Sequence, residues 1–239
     1  MTDKDYLLLA IDQANKSVIE GGFPAGAIIV KDNKIIAEGI SIGNILHDPT
    51  SHGETQCVRN ACRNIQSSDL SGATLYASME TCAMCLNSCM WAGISRIVFA
   101  LSKDNLSNLY YGGNYTTQDI NKMFLKPIEI IQIKELADKS MEVVNKWEKS
   151  QEIISLFKAK GFPFVSLWAD EPNTIYEPHL HKGKVSLYIL SGGVTFTGGF
   201  DKALQAGDFF DVPVGVLHTA NVGSDGCEYV VAQEIEGDE

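Results

Sequence analysis

Two short motifs, His52-Gly53-Glu54 and Cys82-Ala83-Met84-Cys85, contain residue types that bind metals or move protons. One histidine and two cysteines provide three ligands for a zinc ion and leave one coordination position open. An open position is typical of catalytic zinc, because structural zinc uses four protein ligands. Glu54 is then free to move protons between a metal-activated water and a substrate. The two motifs together predict a catalytic zinc site.

The elements around these motifs predict an α/β domain. Two β-branched runs flank the turn dipeptide Asp32-Asn33, which predicts a hairpin. The stretch after Pro49 is typical of a helix, and a shorter helix begins at the cysteine pair and ends at Gly93. Strands that alternate with helices favour a sheet covered on both faces. We assign this domain to residues 1–150, with a last helix that ends near Gln151.

The motifs and elements of this first domain, taken in chain order, resemble those of the cytidine and deoxycytidylate deaminase-like superfamily. The resemblance is strongest to its guanine, cytosine and tRNA adenosine deaminases. The resemblance covers residues 20–149 and includes "HDPTSHGE" and "METCAMCLNSCMWAGISRIVFA". It implies a three-layer α/β fold with a mixed central sheet. It also implies that His52, Cys82 and Cys85 hold zinc, and that Glu54 delivers protons to the substrate's ring nitrogen and to the leaving ammonia.

The same resemblance suggests which residues face the substrate, a small nucleobase, nucleoside or related amino-heterocycle. Asn44 matches an asparagine that such enzymes use on the base or ribose, although it is equally suited to capping its own loop. Ala27 lies where the backbone borders the substrate, and Phe23 is placed to stack on a base. Thr81 departs from the family, which usually has proline there. Proline presets the start of a helix, and we expect threonine to cap the helix instead.

After about residue 155 the pattern changes to short strands separated by glycine, proline, asparagine and aspartate turns. This predicts a small all-β domain over residues 157–239. His179 and His181 share one face of a strand because side chains alternate. The later segment "GDFFDVPVGVLH" places His218 on a neighbouring strand. Both stretches resemble the motifs of the cupin family, which implies a double-stranded β-helix barrel.

The cupin resemblance implies a second divalent metal, Fe, Ni, Zn or Cu, on His179, His181 and His218. Val185 stands where that family has a metal-binding glutamate, so the site lacks one negative charge. The alternative is a metal-free barrel that serves ligand sensing or dimerisation.

Composition limits the partners. The 239 residues include 19 basic and 30 acidic side chains, for a net charge of -11. Nucleic acid would on average repel such a chain, because binding depends on basic side chains that neutralise phosphates. No apolar run approaches the ~20 residues that span a membrane, and the charged N-terminal stretch is unlike a signal peptide. We therefore expect a cytoplasmic protein without membrane association. The family resemblance implies a homodimer.

The leading hypothesis is a zinc-dependent hydrolytic deaminase of a small amino-heterocycle, with a cupin domain of binding or regulatory role. A tRNA adenosine deaminase is the first alternative, which the net charge and the missing basic tail disfavour. The second is a cupin-centred metal-binding or regulatory protein with a vestigial deaminase half, which the complete set of zinc ligands disfavours. The third is a cupin dioxygenase fused to a deaminase. The sequence does not name the base.

Overall fold

The computed structural model describes residues 1–107 and 110–238. The chain forms two compact units, Met1–Asn145 and Lys146–Glu239. In chain order, the elements of the first unit are α1 (Asp3–Ile19), β1 (Phe23–Lys31), β2 (Lys34–Ser41), α2 (Gly43–Leu46), α3 (Gly53–Ile65), β3 (Thr74–Met79), α4 (Ala83–Trp91), β4 (Arg96–Leu101), α5 (Thr117–Lys122), β5 (Glu129–Gln132) and the first part of α6 (Ala137–Ala159).

The strands of the first unit form one mixed sheet in the order β2-β1-β3-β4-β5. Strand β1 pairs antiparallel with β2 and β3, whereas β3, β4 and β5 run parallel. The predicted hairpin is confirmed. It turns at Asp32 and Asn33, whose φ angles are 52° and 59°, and these two residue types tolerate the left-handed region. The mixed central sheet is confirmed as well.

Helices cover both faces of this sheet. Leu75 and Ala77 of β3 point to one face, where they pack with Cys57 of α3 and Leu86 of α4. Tyr76 lies between them in sequence and therefore points to the opposite face. There its ring lies 5.2 Å from the ring of Tyr6 in α1. These contacts give the three layers that the sequence predicts.

Helix α6 is continuous over 23 residues, whereas the sequence analysis ends it near Gln151. It therefore runs through the stretch between the predicted domains, 1–150 and 157–239, and the division between the compact units falls within it. The extension has a physical reason, because Ile153 and Phe157 are buried in a cluster with Val230 and Ala232 of the second unit. Two apolar anchors thus keep the helix ordered beyond its predicted end.

The strands of the second unit pair antiparallel, in the order β10-β8-β11-β6, with β7 on β11 and β9 on β8. This arrangement is compatible with the predicted β domain. The strands are β6 (Phe164–Asp170), β7 (Ile175–His179), β8 (Val185–Gly198), β9 (Lys202–Gln205), β10 (Phe209–Val212) and β11 (His218–Gln233).

Strands β8 and β11 are long, and each contributes to both halves of this sheet. Their pairing is interrupted at Gly192 and Gly226, which have φ angles of 68° and 76°. A Cβ atom at Gly192 would lie 2.0 Å from the carbonyl oxygen of Gly226, so only glycine fits there. On either side of this point, Leu187 and Phe196 lie in one buried cluster. The sheet therefore folds over on itself around a shared core.

Within the described ranges, no helix combines the length and the apolar character needed to cross a membrane.

Candidate functional site

The predicted zinc ligands lie at the N-termini of two neighbouring helices. His52 is the N-cap of α3 and Cys82 is the N-cap of α4, and neither side chain caps its own helix. Cys85 lies one turn into α4 and therefore faces the same side as Cys82. A helix N-terminus carries partial positive charge and stabilises a thiolate. The two helix starts thus bring the three ligands together, and the start of α4 favours the thiolate of Cys82.

The ligand atoms form a small triangle. The Cys82 Sγ atom lies 3.5 Å from His52 Nδ1 and 3.5 Å from Cys85 Sγ, and the third side, Cys85 Sγ to His52 Nδ1, is 3.7 Å. Tetrahedral zinc with ordinary bond lengths separates two sulfurs by about 3.8 Å and sulfur from nitrogen by about 3.6 Å. The side chains therefore fit zinc without rearrangement.

Gly53, between the histidine and Glu54, sits where two backbones nearly touch. A Cβ atom there would lie 2.9 Å from the carbonyl oxygen of Ala25 and 3.1 Å from the Cα atom of Gly26. A larger residue would push α3 away from β1. Glycine thus allows the ligand helix to start directly against the strand that the family resemblance places at the substrate.

Glu54 is 4% exposed. Burial, as the main cause, raises the pKa of its carboxyl group to about 7, and the neighbouring Cys82 adds to this. A carboxyl group with this pKa can accept and return a proton near neutral pH.

The two cysteines differ in environment. A hydrogen bond from the Cys85 thiol is the main reason that the pKa of Cys82 falls to about 4, which makes Cys82 the thiolate of the pair. Cys85 is fully buried and accepts a hydrogen bond of 3.3 Å from the Thr55 hydroxyl. That donor orients the Cys85 sulfur toward the other ligands.

Comparisons with known proteins agree with this site. Residues 1–101 match the model of the cytidine and deoxycytidylate deaminase zinc-binding region. A tRNA-specific adenosine deaminase from Buchnera aphidicola subsp. Baizongia pistaciae is 35% identical over 52% of this chain and 76% of its own length. The chain belongs to the cytidine and deoxycytidylate deaminase family. Guanine deaminase from Bacillus subtilis is 33% identical over 51% of this chain and 79% of its own length.

Among solved structures, guanine deaminase from Nitrosomonas europaea matches with a TM-score of 0.53 and 17% identity, over 60% of this chain and 83% of its own. A match at this identity supports the deaminase fold alone. Together with the His/Cys/Cys cluster, the family membership identifies the protein as a zinc-dependent deaminase, a hydrolase. The family match ends at residue 101 and does not cover the second unit.

The structure places the three predicted substrate residues of this deaminase as follows. Phe23 is half-buried, and its ring lies 5.2 Å from the ring of Tyr110 in an edge-on arrangement. Asn44 lies in α2 and donates a hydrogen bond of 2.8 Å to the carbonyl oxygen of Gly21, so its amide nitrogen braces the loop. The Ala27 side chain is fully buried in the core, which leaves only its backbone to border a ligand.

Thr81 does not cap α4, so that expectation is wrong. The N-cap is Cys82, and the buried Thr81 hydroxyl has no hydrogen-bond partner among the described residues. Instead, the Tyr115 hydroxyl oxygen accepts a hydrogen bond of 2.9 Å from the N–H group of Ala83, the first residue of the helix. A side chain distant in sequence thus does what a cap at Thr81 would have done.

Three residues hold the backbone around Cys82 through their hydroxyl groups: Tyr111, Tyr115 and Thr117. We call this group the hydroxyl clamp. Tyr111 donates to the carbonyl oxygen of Glu80 at 2.8 Å, and Thr117 donates to that of Thr81 at 3.1 Å. None of these three contacts is predicted from the sequence. The only sequence signal for these contacts is the run of tyrosines and threonines in "YYGGNYTT", residues 110–117. Their spacing does not indicate a contact with the loop that carries Cys82.

Lys103 fixes the segment that carries the clamp. Its side chain is buried, and its Nζ atom donates to the carbonyl oxygens of Gly113 at 2.8 Å and Tyr115 at 2.5 Å. The same atom lies 4.1 Å from the centre of the Tyr115 ring. A buried cation over an aromatic face contributes attraction of its own. The clamp is therefore held in place before any substrate binds.

In the second unit, the structure brings the three predicted histidines together. His218 opens β11 and pairs directly with His179 at the end of β7, and His181 follows shortly after. The ring centres lie 4.4 Å apart for His179 and His218 and 5.2 Å apart for the other two pairs. One ligand atom from each residue lies within 4.8 Å of the others.

Each of these imidazoles uses its Nδ1 atom to contact a backbone carbonyl oxygen. His179 contacts Glu177 at 2.7 Å, His181 contacts Asp238 at 2.6 Å, and His218 contacts Val216 at 2.8 Å. A carbonyl oxygen can only accept, so each Nδ1 carries a proton, and in the neutral ring Nε2 is the atom with a lone pair for a metal.

The Nε2 atom of His218 is buried and has no hydrogen-bond partner among the described residues. Burial is the main cause that lowers the pKa of both His181 and His218, which keeps these rings neutral. Neutral imidazoles whose second nitrogen is held by a carbonyl are the form in which histidine binds metals. The donor set of the second unit thus fits a divalent metal.

Proposed function

We propose that this deaminase removes the exocyclic amino group of a small nucleobase, nucleoside or related amino-heterocycle. The observation that carries the proposal is the triangle of His52, Cys82 and Cys85 at two helix N-termini, with the buried Glu54 beside it. A metal position with one open site next to a buried carboxyl group is suited to hydrolysis of a carbon–nitrogen bond at an aromatic ring.

The residues of the site have different roles in the proposed reaction. When bound, zinc supplies a Lewis acid that lowers the pKa of a water toward ~7. Glu54 would take a proton from a water on its carboxylate and pass it to the ring nitrogen of the substrate, while the remaining hydroxide adds to the amino-bearing ring carbon. Glu54 would then take the proton of the new hydroxyl group and pass it to the amine, which leaves as ammonia when the C–N bond breaks. His52, Cys82 and Cys85 fix the direction of the open position, and burial of Glu54 limits proton exchange with bulk water.

For the substrate side, we infer that the base lies beside Phe23, where an aromatic ring offers a stacking surface for any base. The backbone at Ala27 borders it, since Gly53 brings β1 against the start of α3. The Oδ1 atom of Asn44 is available to the base or the ribose, because the bond to Gly21 uses the amide nitrogen.

Guanine is one candidate base, because the B. subtilis relative is a guanine deaminase. A tRNA adenosine substrate is the second candidate function, because the Buchnera relative acts on tRNA. The net charge of -11 favours the small substrate, since phosphates would be repelled.

For the second unit, we propose a small cupin-like barrel that holds a second divalent metal, Fe, Ni, Zn or Cu, on His179, His181 and His218. The pinned Nδ1 atoms and the unpartnered Nε2 atom of His218 support this. Its role is to bind or sense a small molecule. A vestigial deaminase half is at odds with the complete zinc site of the first unit.

We infer further that two copies associate through the surface around Trp91, which is 82% exposed at the end of α4. Tryptophan is enriched at the contact surfaces between proteins. A cytoplasmic location remains a prediction.

An ammonia-release assay of the zinc-loaded full chain tests the substrate proposal. We expect turnover with at least one of guanine, cytosine, adenine, their nucleosides and pterins, and none with an unmodified tRNA transcript. Turnover should be lost in the Glu54→Gln variant and kept in Glu38→Gln, the matched control, because Glu38 is an exposed glutamate of β2 whose carboxylate accepts a hydrogen bond from Gln13. Inosine formation in the tRNA without turnover of any free base or nucleoside would establish the alternative function.

A further inference from the structure

The second unit contains a partly open cavity of about 230 Å³ between the two halves of its folded sheet. Most of its wall is apolar and comes from both long strands and their neighbours. The wall residues on which the argument depends are Trp168, Leu187, Phe196, Val212, Ala220 and Val231. Apolar protein cavities of about 150 Å³ accept a benzene molecule. The space is therefore sufficient for a ligand with one aromatic ring.

One end of this cavity is formed by the histidine cluster, since His179 and His181 line it and the His218 ring lies against both. A metal on the three Nε2 atoms would face the apolar space. Three protein ligands leave coordination positions for a molecule that occupies the cavity. The cavity and the metal position are thus parts of one site.

The metal position has no carboxylate ligand from the described residues, since the cluster consists of three histidines. Asp170 and Glu177 also border the cavity. Asp170 accepts the hydrogen bond of the Tyr176 hydroxyl at 2.8 Å, and Glu177 is exposed to solvent and lies outside the histidine cluster. The carboxylate of Asp238 accepts from the backbone N–H groups of Lys182 and Gly183. A divalent cation on neutral imidazoles would therefore have no carboxylate ligand from the described residues, and most of its charge would face a largely apolar wall.

A charge in such surroundings requires a partner of opposite sign. The apolar wall offers no hydrogen bonds to a shell of water, so a partner with an apolar body fits better than hydroxide alone.

We propose that this cavity binds a small organic anion with an apolar body, with its carboxylate or phenolate oxygen on the metal and its body against the apolar wall. The proposal rests on the second metal described under the proposed function. It assigns the chemical class of ligand for the second unit and is independent of the base that the first unit deaminates.

The test uses the full chain with zinc in the deaminase site and Co²⁺ added to the second unit. The visible absorption of Co²⁺ reports on its ligands, and zinc content is measured to ensure that the first site is unchanged. The probes are benzoate, benzamide as the neutral molecule of the same shape, and acetate as the anion without a body. We expect benzoate to shift the cobalt bands and to bind at least tenfold more tightly than either of the others.

Two variants refine the test. Ala220→Leu fills part of the cavity and should weaken benzoate binding at least tenfold, with one cobalt still bound and acetate affinity unchanged. Ala220→Val is the milder change if leucine prevents folding, and it should act in the same direction. His218→Ala should lose both the cobalt and the benzoate response.

The outcomes are distinguishable. Equal affinities for benzoate and benzamide would show that the ligand need not be an anion. Equal affinities for benzoate and acetate would show that it needs no apolar body. Either result would overturn this inference and leave the second metal site unaffected. Absence of cobalt from the second unit would overturn the second metal and this inference together. Deaminase activity is measured separately, as the rate of ammonia release. It depends on the first unit and should be the same whichever of these results is obtained.

Discussion

Cys85 is the zinc ligand that is most enclosed by protein, since its side chain is fully buried and Thr55 donates a hydrogen bond to it. It also contacts both other ligands within 3.7 Å. Zinc binding therefore depends on three ligand atoms, of which the Cys85 sulfur is buried in the protein. Loss of this sulfur removes one of the three ligands and leaves only His52 and Cys82 to hold the metal.

The Cys85→Ala variant should therefore purify without zinc in the first unit. Because metal binding stabilises the folded state, we expect the free energy of unfolding to fall by about 3 kcal/mol or more. Metal analysis and urea unfolding provide the measurements. Cys62→Ala, a change at a half-buried cysteine of α3 outside the triangle, is the control and should keep its zinc. A variant of Cys85 that retains stoichiometric zinc would contradict the ligand assignment.

The residue scale also separates what sequence predicts from what it misses. His52, Glu54, Cys82 and Cys85 were predictable because zinc chemistry restricts both residue type and spacing. Tyr115 was not, because its contact with Ala83 joins positions 32 apart through a loop whose path no local pattern sets.

At the scale of elements, the start of α4 depends on the hydroxyl clamp formed by Tyr111, Tyr115 and Thr117. The helix has no side-chain cap of its own, and an unpaired N–H group at a buried helix start is costly. The clamp therefore orients the loop that carries Cys82. Partners that orient a ligand in this way typically contribute 10–100-fold to metal affinity.

Tyr115→Phe removes one hydroxyl and leaves the ring that covers Lys103. We expect zinc transfer to a chelator to be faster by about 10–100-fold, with a smaller effect on the unfolding midpoint. The matched control is Tyr6→Phe, whose hydroxyl contacts the carbonyl oxygen of Asn33 on another part of the first unit. Zinc release equal to that of the unchanged protein would rule out a role for the clamp in holding the metal loop.

A second link between elements joins α1 to the sheet. Asp3 accepts hydrogen bonds from Arg96 at 2.6 and 3.0 Å and from the Tyr76 hydroxyl at 2.7 Å. The bond from Arg96, as the main cause, lowers the pKa of the Asp3 carboxyl group. A carboxyl group whose pKa is lower in the folded state stabilises the protein above its unfolded pKa of ~3.9, and this contribution is lost as pH falls through the folded pKa.

Asp3→Asn should therefore lower the free energy of unfolding at pH 7. The side chain of Asp3 is 38% exposed, so after allowance for solvent screening we expect about 0.5–1 kcal/mol. The difference should stay constant down to about pH 5 and shrink below about pH 3.9. Urea unfolding at several pH values measures it, with Asp12→Asn, an exposed change on the same helix, as the control. A difference that persists undiminished at pH 3 would refute this interpretation.

At the scale of the whole molecule, the order of elements and the change of pattern near residue 155 were sufficient to predict an α/β unit followed by antiparallel strands. The continuity of α6 was not predictable, because it depends on Ile153 and Phe157 finding apolar partners in the second unit. The gathering of His179, His181 and His218 was predictable from the cupin-like motifs, whereas the register that pairs His179 with His218 is seen only in the structure.

The oligomeric state also belongs to this scale. Trp91→Asp places a charge where we infer that two copies meet, so the variant should sediment at the 26.1 kDa of one chain, and the unchanged protein at twice that mass. Leu217→Asp, at an exposed apolar residue of the second unit that is 56% exposed, is the control and should remain a dimer. Sedimentation of the unchanged protein as a monomer at micromolar concentration would refute the inferred contact.

The central claim is that Glu54 moves protons beside a zinc ion that it does not bind. Glu54→Gln keeps the size and burial of the side chain but cannot accept a proton. The most direct measurement is the rate of ammonia release at saturating substrate, together with zinc content, for this variant and the unchanged protein. We predict equal zinc content and a rate lower by about 10²–10⁴-fold. A Glu54→Gln protein that keeps its zinc and deaminates at the normal rate would contradict the account.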